Sequence, residues 1–288
     1  MSKLMNKIDF VALIAVDRAN ANGDPLNGNR PRTDYNGFGE MSDVCIKRKL
    51  RNRMQDLGHK VFVQSEDRKV DECKSLKERA EKELGKADKK TDREAYAIKA
   101  CEKWLDVRAF GQVFAFSNKK GGDDEGGVSV GVRGPVSIHQ AVSVSPVQVC
   151  SMHITKSVNG NPDEKRASDT MGMKHFVRFG LYLLKGSINV QLAEKTGFTY
   201  EDAQVVKECL RTLFENDASS ARPEGSMEVV KLYWFEHDSK SGQYSTAKVH
   251  RSVKVTQKNP LDIPTSVDDY EITLEELPGL TPEIIDGL

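Results

Sequence analysis

Two small sets of residues in this sequence could act chemically on a phosphate-containing substrate. Asp17, Asp24 and Asp34 lie close together in the chain, and three carboxylates could hold a divalent cation against a phosphate. His153 and His175 flank a polar stretch and could serve as general acid and general base in RNA cleavage. Simpler interpretations compete with both, because Asp commonly forms turns and a single His at a strand end is more often structural. We therefore predict no enzymatic activity, and keep a metal- or His-dependent endoribonuclease as the alternative function.

Several classes of enzyme and metal-binding protein are excluded because their motifs are missing from the sequence. There is no Gly-rich phosphate loop followed by Lys and Ser or Thr, and no Ser lies in a GxSxG setting. The five cysteines stand far apart, without a CxxC pair or a His at zinc-finger spacing. We therefore predict reduced thiols, no metal site and no cofactor.

A larger set of residues is typical of binding to single-stranded RNA. Such binding needs basic groups on phosphates, small polar groups on riboses and bases, and apolar groups against unstacked bases. The stretch NGDPLNGNRPRTDYNGFGEMSDVCIKRKLRNR, residues 22–53, combines a turn-rich loop with a basic helix. We expect the loop to shape a groove and the helix to supply phosphate contacts. The candidate residues of this region are Arg18, Asn20, Asn22, Arg30, Arg32, Lys47, Arg48 and Arg51.

The elements around this loop are predicted from apolar spacing and capping residues. Residues 8–16 are almost continuously apolar, which indicates a strand covered on both faces. Ser42 is a suitable N-cap for the helix that follows, and Gly58 is expected to end that helix after Leu57. The buried side chains of the helix are predicted to be Ile46, Leu50, Met54 and Leu57.

Further elements are expected along the rest of the chain. They are a short strand at 60–64, a charged helical insertion at 66–103 anchored by Tyr96, Ile98 and Trp104, a mobile tip at 121–127, strands within 128–155, strands at 176–184 and 186–193, a helix begun by a capping box at Thr199, and a closing strand at 227–237. Without the insertions the order is strand, helix, strand, strand, helix, strand. This order predicts an α+β fold with a ferredoxin-like or RRM-like palm.

Charge is distributed unevenly although 43 basic and 43 acidic residues cancel. Eight of the acids follow Pro260, where no Lys or Arg occurs, so residues 1–260 carry an excess of cations. A cationic body suggests a polyanionic partner, and we expect 261–288 to be an acidic tail that lies on this body or on a basic neighbour. No stretch approaches the length of a membrane span, and the N-terminus lacks the apolar run of a secretory signal. The chain is predicted to be cytoplasmic.

Three segments carry a resemblance to a known family. NGDPLNGNRPRTD followed by SDVCIKRKLRNR, then RGPVSIHQAVSVSPVQV at 133–149 and MGMKHFVRFGLY at 171–182, resemble the backbone subunit of type I-C CRISPR surveillance (Cascade) complexes, within the RAMP superfamily. Together these segments span most of residues 8–190. The acidic C-terminal segment matches no motif of this family.

The resemblance implies an RRM-like palm with helical fingers at 60–130 and a thumb at 152–175, within one domain of residues 1–260. Several copies would stack along one guide RNA, the thumb of each copy displacing a base of the RNA held by the next. The further RNA-binding residues implied are Ser143, Ser145, Lys156, Met171, Lys174 and His175. The implied partners are the guide RNA, neighbouring copies, the guide-processing end subunit, the large subunit and the target DNA strand. A single-strand RNA-binding protein that does not polymerise is a third possibility.

Overall fold

The computed structural model describes residues 2–87, 91–116, 128–155 and 171–288. Its strands are β1 Ile8–Ala19, β2 Gly23–Asp24, β3 Arg30–Pro31, β4 Phe38–Met41, β5 Gly111–Phe116, β6 Val128–Arg133, β7 Val136–Ile138, β8 Ala141–Pro146, β9 Val149–Thr155, β10 Met171–Ile188, β11 Met227–Glu236, β12 Val253–Gln257, β13 Tyr270–Leu274 and β14 Glu283–Asp286. Its helices are α1 Asp43–Asp56, α2 Leu76–Leu84, α3 Arg93–Lys103, α4 Leu105–Phe110, α5 Val190–Thr196, α6 Tyr200–Arg211 and α7 Thr246–Ser252. The predicted mobile tip at 121–127 and residues 156–170 of the predicted thumb lie outside the described residues.

A central antiparallel sheet organises the α+β fold. Its strand order is β14–β11–β1–β10–β8–β4, and β7 and β9 pair with other parts of the long strand β10. β1 lies between β10 and β11, with Ile8 opposite both Ile188 and Glu236. The prediction of a central strand with both faces covered is therefore confirmed.

The alternation of side chains along β1 creates two hydrophobic layers. Ile8, Phe10 and Ile14 point into a layer that includes α1 and α6, whereas Val11 and Leu13 point into a layer that includes α7, β12 and β13. Because successive residues of a strand face opposite sides, one apolar run supplies both cores. This arrangement fixes β1 and hence the start of the loop that follows it.

Helix α1 begins and ends where the sequence predicts. The Ser42 side chain accepts a hydrogen bond from the Cys45 amide, and Gly58 after the helix has a φ of 84°, which suits glycine. Three of the predicted buried residues, Ile46, Leu50 and Met54, are fully buried. The prediction for Leu57 was wrong, since its side chain is 41% exposed beyond the last helical turn.

A satellite cluster joins α2, α3, α4 and the β5–β6 hairpin. Phe62 packs against Trp104 and Phe114, and Tyr96 contacts Phe114 edge-on. Tyr96 and Trp104 are the predicted anchors, but Ile98 is 48% exposed and does not anchor the helices. Two helices, α2 and α3, occupy the region predicted to be a helical insertion.

The predicted strand at 60–64 is absent. The backbone of this segment bonds to side chains instead: the Asp106 carboxylate accepts from the amides of Phe62 and Val63, and Arg79 donates to the Phe62 carbonyl. An apolar segment can satisfy its backbone in this way without pairing with a strand. Periodicity alone does not distinguish the two cases.

The predicted strand at 186–193 is also wrong in its second half. β10 runs without interruption from Met171 to Ile188, after which Asn189 caps α5 by accepting from the Leu192 amide. An Asn at this position favours a helix start over continued pairing. By contrast, the capping box of α6 at Thr199 is confirmed, because Thr199 and Asp202 bond reciprocally.

The acidic segment after Pro260 packs against the body. β13 pairs with β12, and β14 pairs with β11 as the last strand of the central sheet. Tyr270, Leu277 and Leu280 are buried in the second hydrophobic layer. In the part of the chain that the structure describes, no helix is both long and apolar enough to cross a membrane.

Candidate nucleic-acid interface

Two asparagines of the opening loop hold the loop in shape. Asn22 Oδ1 accepts hydrogen bonds from both the amide and the hydroxyl of Ser42, which ties the loop to the N-terminus of α1. Asn20 is 3% exposed, and its Nδ2 donates to the Asn29 carbonyl at 2.7 Å. Both residues were predicted to face RNA. Both side chains are engaged within the protein, and their contact with RNA stays a prediction.

The carboxylates of the loop form turns. Asp24 Oδ1 accepts from the Leu26 amide and pairs with Arg32 at 3.4 Å. Asp34 Oδ1 accepts from the amides of Asn36 and Phe38 at 2.8 Å each. Among the described residues no group of three or more His, Cys, Asp or Glu side chains could hold a metal ion. The geometry therefore matches the turn interpretation of these acids, and Arg32 is engaged by one of them.

Residues from three distant parts of the chain meet at one point beside the loop. Arg30 Nη1 donates to Ser151 Oγ at 3.0 Å and lies 3.5 Å from His175 Nδ1. Ser151 Oγ is in turn 2.9 Å from His175 Nδ1. Ser151 belongs to β9 and His175 to β10, so this cluster joins the loop to the base of a projecting pair of strands. Arg30 and His175, both predicted to bind RNA, are thereby brought together.

The projecting pair consists of β9 and residues 171–177 of β10, and we call it the ribbon. Its register places Thr155 opposite Met171, His153 opposite Met173 and Ser151 opposite His175. Directly opposed residues of an antiparallel pair share a face, as do residues two apart in one strand. One face of the ribbon therefore carries Met171, Met173, His153 and His175. We call this the methionine–histidine face.

The other face of the ribbon carries Ile154 opposite Gly172 and Met152 opposite Lys174. Met152 and Ile154 are 51% and 47% exposed, and Met171 on the first face is 65% exposed. The ribbon thus presents apolar side chains to solvent on both sides. The prediction included Met171, Lys174 and His175 but missed Met173, whose alternation with Met171 in the string MGMKH was a usable signal.

The three basic residues predicted on α1 differ in their availability. Lys47 forms an ion pair with Asp43 one turn earlier at 3.0 Å, with both side chains partly exposed. Arg48 donates to the Val63 carbonyl, and burial together with the nearby Arg51 lowers the pKa of its guanidinium.

Arg51 is the least available of the three. Its Nε donates to the Asp106 carboxylate at 2.8 Å, and its guanidinium carbon lies 5.2 Å from the centroid of the Phe110 ring. These contacts occupy Arg51 within the protein, whereas Lys47 is held only by a partly exposed pair.

The remaining predicted residues have distinct surroundings. Ser143 and Ser145 are 5% and 7% exposed; Ser143 accepts from the Gly39 amide, and the Ser145 hydroxyl bonds the Tyr270 hydroxyl. These two serines are part of the packing between β8 and its neighbours. Arg18 is exposed and has a φ of 50°, while Lys156 lies outside the described residues.

One exposed aromatic side chain was missed altogether. The Gly37 amide donates to the Asp34 carbonyl, closing a turn that holds Tyr35 with its side chain fully exposed. The Val147 amide donates to the Gly37 carbonyl, which places this turn next to the start of β9. An aromatic ring held in solvent is suited to stacking on an unpaired base.

The sequence has counterparts among known proteins. A sequence model of the family described as "CRISPR-associated protein Cas7" matches residues 6–275. A protein of Haloferax volcanii described as "CRISPR-associated protein Cas7" is 25% identical over 234 residues, which cover 76% of this chain and 67% of that protein.

The fold has a counterpart among solved structures. A chain of a "CRISPR RNA-guided surveillance complex, pre-nicking" superposes with a TM-score of 0.51 at 16% identity, covering 85% of this chain and 81% of that one. The likeness in fold and the match over residues 6–275 point the same way. The chain belongs to the Cas7 family of CRISPR-associated proteins.

Proposed function

We propose that this protein is a non-catalytic backbone subunit of a CRISPR RNA-guided surveillance complex, in which several copies bind one guide RNA. Its partners are then the guide RNA, neighbouring copies, the guide-processing end subunit, the large subunit and the target DNA strand paired to the guide. Family membership over residues 6–275 supports the assignment. The observation that carries the RNA-binding role is the contact of Arg30 with Ser151 and His175, which places loop and ribbon on one surface.

We further propose that the complex is of type I-C and that the palm is RRM-like. The subtype is supported by the three sequence segments that resemble that subunit. The palm is supported by the strand order β11–β1–β10–β8, with α1 following β1 and α6 lying between β10 and β11 in the chain. Residues 60–130 are then the fingers and 152–175 the thumb, whose two strands form the ribbon.

Within this proposal the predicted RNA-binding residues take different tasks. Position favours phosphate contacts for the basic residues Arg18, Arg30, Lys47, Arg48 and Lys174, of which Arg18 is exposed and the other four are partly exposed, and Lys156 is proposed on sequence alone. Arg32 is also proposed as a phosphate contact, although its guanidinium forms an ion pair with Asp24. The methionine–histidine face suits unstacked bases, since methionine is apolar and adaptable.

The remaining predicted residues have structural contacts that favour an indirect task. Arg51, Asn20, Asn22, Ser143 and Ser145 bond within the protein and are proposed to shape the groove without contacting RNA. Their loss should therefore alter RNA binding only through the fold.

Purification of the protein together with its RNA tests the proposal directly. We expect the protein to bring down RNAs of one defined length that carry a repeated flank. With added guide RNAs of different lengths, it should form particles whose mass grows with RNA length. A matched pair of variants locates the site: Arg30→Ala should lose RNA, whereas Arg93→Ala on the exposed side of α3 should not. Recovery of heterogeneous RNA in particles of constant mass would favour the generic RNA-binding protein.

The endoribonuclease alternative is tested with labelled RNA in the presence and absence of Mg²⁺. The turn contacts of Asp24 and the engagement of His175 with Ser151 and Arg30 favour binding over cleavage. We expect intact RNA with the wild-type protein and with Asp24→Ala and His175→Ala alike. Cleavage by the wild type that disappears in either variant would establish the alternative.

A further inference from the structure

One face of the central sheet carries a set of aromatic side chains. The strands β11, β1 and β10 are neighbours in the sheet, and each contributes residues to the second hydrophobic layer. Three of these residues are aromatic: Phe179 of β10, and Tyr233 and Phe235 of β11. RNA-binding modules of the RRM type stack unpaired bases on aromatic side chains of a sheet face. The palm therefore has the side chains of a base-stacking surface on this face.

This aromatic face is covered by residues 253–280, which we call the strap. The strap contains the two-stranded sheet of β12 and β13. Its Tyr270 ring lies with its centroid 6.5 Å from that of Phe179, and Leu277 and Leu280 are buried in the same layer. As a result the three aromatic side chains of the sheet are 8% exposed or less. No base can stack on them while the strap is in place.

Hydrogen bonds from the chain between β11 and α7 hold the far end of the strap. The Tyr244 hydroxyl donates to the Pro278 carbonyl at 2.8 Å. The Gln243 side chain donates to the Gly279 carbonyl at 2.9 Å. Together with the buried leucines, these contacts make the strap a fixed part of the fold.

The outer surface of the strap is acidic. Its residues include six acids and two lysines, a net charge of −4. In β13 the side chains alternate, so that Tyr270 and Ile272 point towards the sheet and Glu271 points to solvent. Four acids are exposed and have no ion-pair partner among the described residues: Asp262, Asp268, Glu271 and Glu276.

The strand β14, which follows the strap, neutralises two lysines of the palm. Glu283 pairs with Lys207 of α6, and Asp286 pairs with Lys231 of β11. Exposed ion pairs of this kind contribute little to stability. Each of them nevertheless removes a cation that could hold a phosphate.

We infer that the strap denies single-stranded RNA access to the aromatic face of the sheet and thereby confines RNA to the loop and ribbon. Packing removes the groups on which bases would stack, and the exposed acids repel phosphates that approach from this side. The repulsion acts over about 10 Å at 0.1 M salt, so it protects the strap and its surroundings. This inference rests on the proposed function, which supplies the RNA and the RRM-like palm.

The experiment uses protein that has first been saturated with guide RNA and then titrated with labelled single-stranded RNA of unrelated sequence. The strap variant neutralises the four unpaired acids with amides of the same shape: Asp262→Asn, Asp268→Asn, Glu271→Gln and Glu276→Gln. The control variant makes the same change of charge at four exposed acids outside the strap: Glu72→Gln, Glu94→Gln, Glu102→Gln and Glu224→Gln.

Both variants should fold, because all eight side chains are exposed. Near-ultraviolet circular dichroism checks this, and Glu271→Gln/Glu276→Gln alone serves if the fourfold strap variant is unstable. We expect the strap variant to bind the unrelated RNA about tenfold more tightly than the wild type at 0.1 M salt, since phosphates are no longer repelled. The gain should disappear at 1 M salt, where charges are screened within about 3 Å. The control should bind like the wild type.

Acetylation of Lys258 locates the additional RNA. Lys258 is an exposed residue of the strap. Unrelated RNA should protect its amine from acetylation in the strap variant and leave it reactive in the wild type. A gain in affinity without this protection would place the RNA elsewhere and overturn the inference.

Two other results would also overturn it: equal affinity of wild type and strap variant for the unrelated RNA, or an equal gain in the control. Failure of the wild-type protein to retain guide RNA in the first step would count against the proposed function instead. The two steps therefore separate failure of the strap's assigned role from failure of guide binding.

Discussion

The Nε atom of Arg51 lies 2.8 Å from Asp106 Oδ2, and the same carboxylate accepts the backbone amides of Phe62 and Val63. Asp106 is fully buried. A basic residue of α1 is therefore committed to joining this helix to the segment at 62–63 and to α4, which carries Asp106.

Replacement of Asp106 should consequently affect stability first. Asp106→Ala leaves a largely buried guanidinium unpaired and two amides unsatisfied, and we expect it to cost about 3–5 kcal/mol of unfolding free energy in urea titrations. The control Lys47→Ala breaks a partly exposed ion pair and should cost no more than about 0.5 kcal/mol. A loss below about 1 kcal/mol for Asp106→Ala would contradict this assignment of Arg51.

The phosphate contacts of α1 are expected to come from Lys47 and Arg48. The double variant Lys47→Ala/Arg48→Ala should reduce the magnitude of the salt slope for guide RNA by about 1.4 for every RNA sequence alike, because phosphate contacts carry no base information. Filter binding between low and moderate salt measures the slope. A sequence-dependent loss with an unchanged slope would assign these residues to bases instead.

The two faces of the ribbon should differ in their effect on RNA. Met171→Ala/Met173→Ala alters the methionine–histidine face, and Met152→Ala/Ile154→Ala makes a comparable change on the other face. We expect the first pair to weaken binding to a long guide by about 1 kcal/mol, at the low end of the range for side chains that stack on bases. The second pair should leave RNA affinity within error, and the reverse order would show that the ribbon uses its other face.

Stability should decline in mildly acidic solution. Burial lowers the pKa of His250 below its usual 6.5, while its Nε2 bonds the Gly186 carbonyl at 2.9 Å. The unfolded chain takes up a proton near pH 6.5 and the folded protein does so only at lower pH. This contribution to stability is therefore present above about pH 6.5 and is lost as the pH falls through the folded-state pKa, with a slope of at most about 1.4 kcal/mol per pH unit.

Urea unfolding of His250→Gln from pH 7.5 to pH 5 tests this, because Gln can donate to the same carbonyl and does not titrate. The variant should show a flatter decline than the wild type. His59→Gln, at a partly exposed position after α1, serves as the control and should keep the wild-type slope. If the unfolding free energies of wild type and His250→Gln fell in parallel with pH, His250 would not be the source of the acid-dependent loss of stability.

The sequence predicted elements whose signals are local. The apolar run of β1, the Ser42 cap and the Thr199 capping box each lie within a few residues, and all three are present. The segment at 60–64 was assigned to a strand because its actual backbone partners, Asp106 and Arg79, are remote in the chain. Its composition carries no sign of them.

The candidate site shows the same difference between what local sequence indicates and what contacts between remote residues decide. Arg30 and His175 were identified by type, but their meeting through Ser151 depends on the register of β9 against β10. The engagement of Arg51 likewise depends on a buried acid 55 positions later. Residue types therefore indicated RNA binding, while the distinction between exposed polar groups and groups engaged within the protein required the three-dimensional structure.

The uninterrupted course of β10 has a mechanical consequence. Its first residues form one side of the ribbon, and its later residues pair with β1 in the middle of the sheet. The two parts are one continuous strand over residues 171–188, and the contact of Arg30 with Ser151 and His175 connects the loop to the junction between them. The ribbon is therefore mechanically continuous with the middle of the sheet: a force on Met171 is transmitted by bending β10, and the direction in which the ribbon extends follows from the twist of the sheet.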